Sequence, residues 1–172
     1  GHTLLRIDTP EQTEDTRWLA YAGNYAAQTN TSNGLEFAYK GLTGGYAGAF
    51  SIFSYYEKVK EYNDFENRDL WEYQLNLTPE EITQGLKHLW EIKTVNFPYY
   101  FLSSNCSYQL LGLLEAARPN TYLRQDFPVY VIPTDTLRRV LQEKNILKKL
   151  VYRPANGTSL AYHAQQNKPS IN

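Results

Sequence analysis

The sequence predicts an α+β fold, in which an antiparallel sheet packs against a helix that carries the single cysteine. Runs of alternating or aromatic residues, typical of strands, dominate the first half of the chain. Apolar stretches with helix-capping residues, typical of helices, are concentrated in the second half. At 172 residues, without a repeat or a linker that would divide two cores, the chain is long enough for one domain.

Five segments are predicted as strands. The first alternates and places His2, Leu4 and Arg6 on one face. On the predicted strand over residues 68–77, Trp71 and Tyr73 are predicted to face inward and Glu72 to face the other side. The predicted strands cover residues 2–7, 18–26, 49–62, 68–77 and 146–152.

Two further segments are predicted to be irregular. Residues 28–34 are rich in Asn, Thr, Ser and Gly and indicate a polar loop. Four glycines within residues 41–48 indicate a turn that another backbone or a ligand approaches closely. Because no Gly-Lys-Ser/Thr follows, this turn is not a phosphate-binding loop.

The strongest helix start lies at Thr78. This residue is the predicted N-cap, Pro79 takes the first helical position, and Glu81 completes a capping box. The helix is predicted to continue to about residue 93. Its predicted buried face consists of Ile82, Leu86, Leu89 and Trp90.

Two more helices are predicted nearer the C-terminus. Ser103 or Ser104 caps the first, which is expected to end near residue 117, before Arg118-Pro119. The second follows Pro133 and covers residues 136–144. Residues 94–114 carry no formal charge, but the polar run from Ser103 to Ser107 argues against a membrane span.

Composition narrows the class of protein. The net charge is −1 and no basic cluster is present, so nucleic acid is not predicted as a partner. Fifteen tyrosines, seven phenylalanines and three tryptophans suit either a sheet core or a surface that is apolar at one end and wet at the other. The chain begins at Gly1-His2, already within a strand pattern, which indicates an excerpt of a longer protein.

Cys106 is the leading candidate for chemistry. It lies in the first turn of its predicted helix, where unpaired N–H groups and the helix dipole stabilise a thiolate. A histidine nearby would complete the activated pair. The alternative is a small core residue, because Cys106 shares a helical stripe with Leu110, Leu113, Leu114 and Ala117.

The chain offers three histidines as partners for the thiol. His88 is predicted on a solvated helix face and His163 in a polar tail, which leaves His2 on the first strand. The spacing of these residues does not form a zinc set, so neither a metal nor a cofactor is predicted. A serine triad is not predicted either, because the sequence has no Gly-x-Ser-x-Gly.

Two other groups of residues have a functional and a structural interpretation. Asn24, polar on an otherwise apolar strand face, either orients a histidine on the neighbouring strand or satisfies backbone groups at a sheet edge. Residues 68–73, with Arg68 and Glu72, form either part of a site or a structural ion pair beside core aromatics.

Four motifs resemble one known domain, in the same order along the chain. They are Gly1-His2-Thr3-Leu4-Leu5-Arg6-Ile7, Gly41-Leu42-Thr43-Gly44-Gly45-Tyr46, Arg68-Asp69-Leu70-Trp71-Glu72-Tyr73 and Asn105-Cys106-Ser107. The domain is the N-terminal periplasmic domain of Lnb-type bacterial lipoprotein N-acyltransferases, and the resemblance spans residues 1–152. More distantly, the sequence is similar to circularly permuted papain-like (NlpC-type) enzymes, in which the histidine strand precedes the cysteine helix.

The resemblance implies a papain-like acyltransferase domain over residues 1–153, followed by a polar tail over residues 154–172. It implies a periplasmic, membrane-associated protein whose partners are a phospholipid acyl donor, a lipoprotein N-terminus and the membrane surface. The implied catalytic residues are Cys106, His2 and Asn24. The implied substrate-binding residues are Asn105, Ser107, Tyr46, Arg68 and Glu72.

The expected reaction is transfer of a fatty acyl chain through a Cys106 thioester to the lipoprotein amine. Backbone N–H groups at Cys106 and Ser107 are expected to stabilise the oxyanion, and the aromatic strand from Phe50 to Tyr56 is expected to line an acyl groove. Two alternatives remain open from the residues. One is a cysteine peptidase or amidase acting on cell-wall peptide, and the other is a non-catalytic module that binds lipid or an envelope partner.

Overall fold

The computed structural model describes residues 2–61, 68–158 and 160, and it confirms a mixed α+β fold with antiparallel sheets. The strands are β1 (Leu5–Ile7), β2 (Tyr21–Gln28), β3 (Tyr46–Ser54), β4 (Leu70–Leu75), β5 (Phe97–Tyr99) and β6 (Leu147–Arg153). The helices are α1 (Gly34–Thr43), α2 (Tyr55–Lys60), α3 (Pro79–Ile92), α4 (Cys106–Ala117) and α5 (Pro133–Leu141).

The strands form two sheets. A four-stranded antiparallel sheet has the order β1-β2-β3-β5, and β4 pairs with β6 in a separate two-stranded sheet. At the centre of the four-stranded sheet, Tyr25 on β2 lies opposite Phe50 on β3. At the β5 edge, Tyr46 lies opposite Tyr99, which places a tyrosine of β5 beside the chain that leads into α4.

Both faces of the larger sheet are covered. Because side chains alternate along a strand, Tyr25 points to one face of β2 while Ala22 and Asn24 point to the other. The first face packs against α3 and α4 and forms the main core: Tyr25, Tyr46, Phe50, Leu89, Tyr99, Leu110 and Leu113. The second face packs against α2 through Ala20, Ala22, Tyr55 and Val59. A third cluster joins α4 and α5: Leu111, Leu123, Val140 and Ile146.

Helix α3 begins as predicted, but its buried face differs from the prediction. The Thr78 side chain accepts a hydrogen bond from the Glu81 N–H and the Glu81 carboxylate accepts one from the Thr78 N–H, which completes the capping box. Leu89 is buried, as predicted, but Ile82, Leu86 and Trp90 are exposed, Trp90 by 66%. The reason is Gly85, whose missing side chain lets Ala117 of α4 approach on the Gly85–Leu89 face.

The predicted polar loop is confirmed over residues 29–33, whereas helix α1 replaces the first part of the predicted glycine turn. The Asn33 side chain accepts hydrogen bonds from the N–H groups of Leu35 and Glu36 and so caps the helix. Gly44, with a φ of 76°, ends it in the left-handed conformation, which glycine adopts at little cost. The glycines of residues 41–48 therefore belong to a helix end and a strand start.

The predicted strand over residues 49–62 is also wrong in part. The extended chain begins earlier, at Tyr46, and stops at Ser54, where α2 starts. Phe50 and Tyr55 are buried in different core clusters, so this segment does not present one continuous aromatic face to an acyl groove. Residue 62 lies outside the described residues.

On β4, the predicted orientation of Trp71 and Glu72 is reversed. Trp71 is 56% exposed and packs on Tyr152 across the strand pair, with ring centroids 4.5 Å apart. The Glu72 carboxylate points inward and accepts hydrogen bonds from Arg6 at 3.0 Å and Arg153 at 2.8 Å. The Tyr55 hydroxyl donates to the same carboxylate, so Glu72 connects the two sheets and α2.

Two further elements, α5 and β6, lie close to their predicted positions, whereas β1 begins only at Leu5 and β5 is not predicted from the sequence. Helix α5 begins at Pro133, and β6 lies within one residue of the predicted strand. Within the described ranges, no helix combines the length and apolarity that crossing a membrane requires. Ala155, just beyond β6, is buried and donates its N–H to Asp69. Residues 161–172 lie outside the described residues, and the boundary after residue 153 stays a prediction.

Replacing Gly41 with alanine is expected to lower the free energy of unfolding by about 1–3 kcal/mol, because overpacking a filled core costs about that much. A Cβ at Gly41 would overlap the Phe101 ring, which packs between Phe37 and Tyr99. Urea unfolding monitored by circular dichroism measures the loss. Gly34→Ala, in the same helix, is the control, because its Cβ meets no atom within 4 Å. Equal stability of the two variants would contradict this packing.

Candidate active site

Cys106 is the first residue of α4, as expected, but the helix cap differs from the prediction. Asn105, rather than Ser103 or Ser104, is the N-cap, and its side-chain oxygen accepts the Tyr108 N–H at 3.3 Å. The Ser104 hydroxyl accepts instead from the Gln109 side chain. Cys106 therefore occupies the first helical position, where the dipole favours a negative charge. Its side chain is only 3% exposed.

Asn105 also ties together the chain around Cys106. Its amide nitrogen donates to the carbonyl of Phe101 at 3.1 Å and to the carbonyl of Val131 at 2.9 Å. Its oxygen accepts from the Ser107 hydroxyl at 2.9 Å. Both polar atoms of the Asn105 side chain thus form hydrogen bonds within the protein. The substrate-binding roles predicted for Asn105 and Ser107 stay predictions.

His2 and Asn24 meet, and the thiol of Cys106 lies at the same imidazole. The His2 Nε2 atom is hydrogen-bonded to the Asn24 side-chain oxygen. Asn24 is 5% exposed, so its orientation is fixed by the sheet around it. Interaction with the Cys106 side chain also raises the pKa of His2. The geometry therefore favours the first interpretation of Asn24, in which it orients a histidine.

The ionisation of both partners is shifted toward an ion pair. Hydrogen bonding to Cys106 raises the pKa of His2 above its usual value, against an opposing effect of burial. Burial acts to raise the pKa of the Cys106 thiol, but the hydrogen bond and charge of His2 outweigh it, so that this pKa lies below its usual value. Both shifts favour a thiolate beside an imidazolium.

Two residues that the sequence did not single out complete this environment. Interactions with the Thr3 N–H and the Tyr99 hydroxyl also lower the pKa of the thiol. The Tyr99 hydroxyl in addition accepts the Cys106 N–H at 3.2 Å, so this N–H is occupied. Tyr99 stands in an aromatic run, which gives no sign of a polar role. Thr3 acts through its backbone, which no side-chain pattern reveals.

The other predicted binding residues lie in structural contacts. Tyr46 is buried in the main core and its ring stacks on Phe101. Glu72 is engaged with Arg6 and Arg153, and Arg68 is exposed at the start of β4. The substrate-binding roles of these three residues therefore stay predictions.

Two other features belong elsewhere on the molecule. His88 is partly exposed on α3 beside Glu91, as predicted, and His163 lies outside the described residues. A shallow surface depression at the start of α3 lies beside the C-terminal end of α4, where Glu81 pairs with Arg118. The length of α4, about 18 Å, separates that depression from Cys106.

The fold and the site define a mixed α+β domain with a cysteine–histidine pair at a helix N-terminus. The chain belongs to the family of Lnb N-terminal periplasmic domains, whose sequence model matches residues 1–143. This membership confirms the family resemblance and places the domain in the periplasm. No curated protein and no solved structure is significantly similar to the chain.

Proposed function

We propose that this domain is a thiol acyltransferase that moves a fatty acyl chain from a phospholipid, through a Cys106 thioester, to the N-terminal amine of a lipoprotein. The observation that carries the proposal is the Cys106–His2 pair, held by Asn24 at the N-terminus of α4, in a member of the Lnb family. The family supports the lipoprotein substrate, and the paired thiol supports the chemistry.

In the first half-reaction, His2 takes the proton of Cys106 and the thiolate attacks the ester carbonyl carbon of the phospholipid. The tetrahedral intermediate collapses by breaking the bond to the glycerol oxygen. The imidazolium of His2 protonates this leaving oxygen, which releases a lysophospholipid and leaves the acyl chain on Cys106. Asn24 keeps the imidazole in the required orientation through its side-chain oxygen.

In the second half-reaction, the free amine of the lipoprotein attacks the thioester carbonyl. His2 accepts a proton from the amine, the bond between carbon and sulfur breaks, and the thiolate is restored. The products are an amide on the lipoprotein and the enzyme in its starting state. The helix N-terminus favours the thiolate both as attacking group and as leaving group.

The chain around Asn105 supports an apolar donor. Hydrogen bonds link Phe101 to Gly41 at the end of α1 and Leu102 to Val131. The segments linked in this way carry exposed apolar side chains, here called the apolar rim: Leu35, Tyr39, Leu42, Leu102, Val129, Tyr130 and Ile132. Such a surface suits acyl chains or a bilayer, and it takes the place of the groove expected along β3.

The order of elements supports a circularly permuted papain-like fold as part of the same proposal. The segment with His2 leads into β1 of an antiparallel sheet, and the helix with Cys106 comes later in the chain and packs on that sheet. The polar residue that holds the imidazole comes from the next strand, β2.

The test is to incubate the protein with phosphatidylethanolamine vesicles and to measure intact mass. The expected result is a gain of one acyl chain that neutral hydroxylamine removes. Addition of a synthetic diacylglyceryl-cysteine peptide is expected to discharge the adduct and to acylate the peptide amine. Since the sequence holds one cysteine, protein alkylated beforehand with iodoacetamide is a control blocked only at Cys106.

Each other outcome contradicts the proposal in a distinct way. An adduct that water discharges while the peptide stays unmodified indicates a hydrolase, in line with the peptidase or amidase alternative. If the vesicles bind the protein and no adduct forms, the domain is a non-catalytic lipid-binding module.

A further inference from the structure

The hydroxyl group of Tyr99 lies against the reactive residue. Tyr99 is 9% exposed, and its hydroxyl accepts the Cys106 N–H at 3.2 Å. The ring is fixed by stacking on Tyr25, with centroids 5.5 Å apart, and by an edge contact with Phe101. The position of the oxygen at the start of α4 is therefore determined by packing.

The proton of this hydroxyl needs an acceptor. A phenol both donates and accepts, and the Cys106 N–H uses only its accepting capacity. A buried donor without an acceptor is costly, so an acceptor within reach of the hydroxyl is favoured for this proton. The Cys106 sulfur is such a neighbour, because the same residue supplies the N–H and the thiol. In agreement, hydrogen bonding to Tyr99 lowers the pKa of the thiol.

We infer that Tyr99 is a third functional side chain of the acyl-transfer site, whose hydroxyl donates a hydrogen bond to the Cys106 sulfur and stabilises the thiolate both as nucleophile and as leaving group. The role of Tyr99 in the acyl-transfer steps rests on the proposed function. The hydrogen bond from its hydroxyl to the Cys106 sulfur does not depend on that function.

The hydroxyl keeps its proton through both half-reactions. Burial and the nearby Cys106 charge raise the pKa of Tyr99 well above its usual value, so the phenol does not ionise when the thiol does. His2 carries every proton that moves, while Tyr99 stabilises the charge on sulfur. A thioester sulfur is a weaker acceptor than a thiolate, so this hydrogen bond weakens while the acyl chain is on Cys106 and strengthens again when the amine takes the chain.

The experiment compares Tyr99→Phe with Tyr25→Phe, by following the rate of iodoacetamide labelling of Cys106 across pH. Tyr25 is the matched control, because it belongs to the same aromatic stack and its buried hydroxyl makes no hydrogen bond within the described residues. Tyr99→Phe is expected to raise the thiol pKa by about one unit, as loss of a charge-assisted hydrogen bond predicts. Tyr25→Phe is expected to leave the profile unchanged.

A Tyr99→Phe profile that coincides with wild type would overturn the inference. If this variant fails to fold by circular dichroism, tyrosine fluorinated on its ring is introduced at position 99. The fluorinated phenol is a stronger donor and is expected to lower the thiol pKa, and no change would again overturn the inference. These titrations use no lipid, so their result is separate from the vesicle test of the proposed function.

Discussion

The His2→Ala variant is expected to form the acyl adduct 10²–10⁴-fold more slowly than wild type, on the order of the contribution of a positioned general base. The variant loses the partner that lowers the thiol pKa. That pKa is therefore expected to rise toward the free value of about 8.5. At neutral pH most Cys106 then carries its proton and is a poor nucleophile.

Two measurements check this prediction. The initial rate of adduct formation on vesicles gives the loss of activity, and iodoacetamide labelling across pH gives the shift of the thiol pKa. His88→Ala is the control, because His88 lies on α3 near Glu91 and is not part of the site. If His2→Ala and His88→Ala show the same labelling profile as wild type, His2 does not activate the thiol.

The Glu72→Ala variant is expected to lose about 2–3 kcal/mol of unfolding free energy, since removing one partner of a buried ion pair leaves its neighbours unsatisfied. The substitution leaves the buried Tyr55 hydroxyl without its acceptor and removes a shared carboxylate from Arg6 and Arg153. For a domain of this size, the melting temperature is expected to fall by about 4–12 °C.

The pH dependence of this loss has a definite sign. Burial opposes the effect, but Arg153, Tyr55 and Arg6 together hold the pKa of Glu72 below its usual value. The stabilisation is therefore complete above the unfolded pKa of about 4.3 and disappears as the pH falls through the lower folded value. Melting curves of wild type and variant are thus expected to converge in acid.

Glu14→Ala is the matched control for Glu72→Ala. Glu14 also pairs with Arg153, but its side chain is 57% exposed, and exposed ion pairs contribute little. Its melting temperature is expected to stay close to that of wild type. If both variants melted alike, the structural role assigned to Glu72 would be wrong.

The features that the sequence predicts well have local causes. The start of α3 depends on Thr78, Pro79 and Glu81, which interact within one turn. The placement of Cys106 in a first helical turn likewise depends on the polar residues just before it, although the capping residue proved to be Asn105. The contact between His2 and Asn24 follows from neighbouring segments, since His2 lies three residues before β1 and Asn24 stands out as a polar residue on an otherwise apolar face of β2.

The features that the sequence misses depend on contacts between distant segments. The glycines of α1 favour a turn locally, but Gly41 is required by the Phe101 ring that packs on it. The face of α3 was predicted from large apolar residues, whereas close approach of α4 selects the side with the small residue Gly85. Aromatic residues favour a strand through residues 55–60, but tertiary packing of Tyr55 and Val59 makes this segment helical.

The solitary, buried cysteine also has a consequence for redox chemistry. The bacterial periplasm is kept oxidising, and thiols with a lowered pKa are oxidised most readily to sulfenic acid. This chain holds no second cysteine to form an intramolecular disulfide with Cys106. Oxidised Cys106 would therefore need a thiol from outside these 172 residues to recover it. The 3% exposure of Cys106 limits the access of oxidants, so the packing that shapes the site is also expected to slow its oxidation.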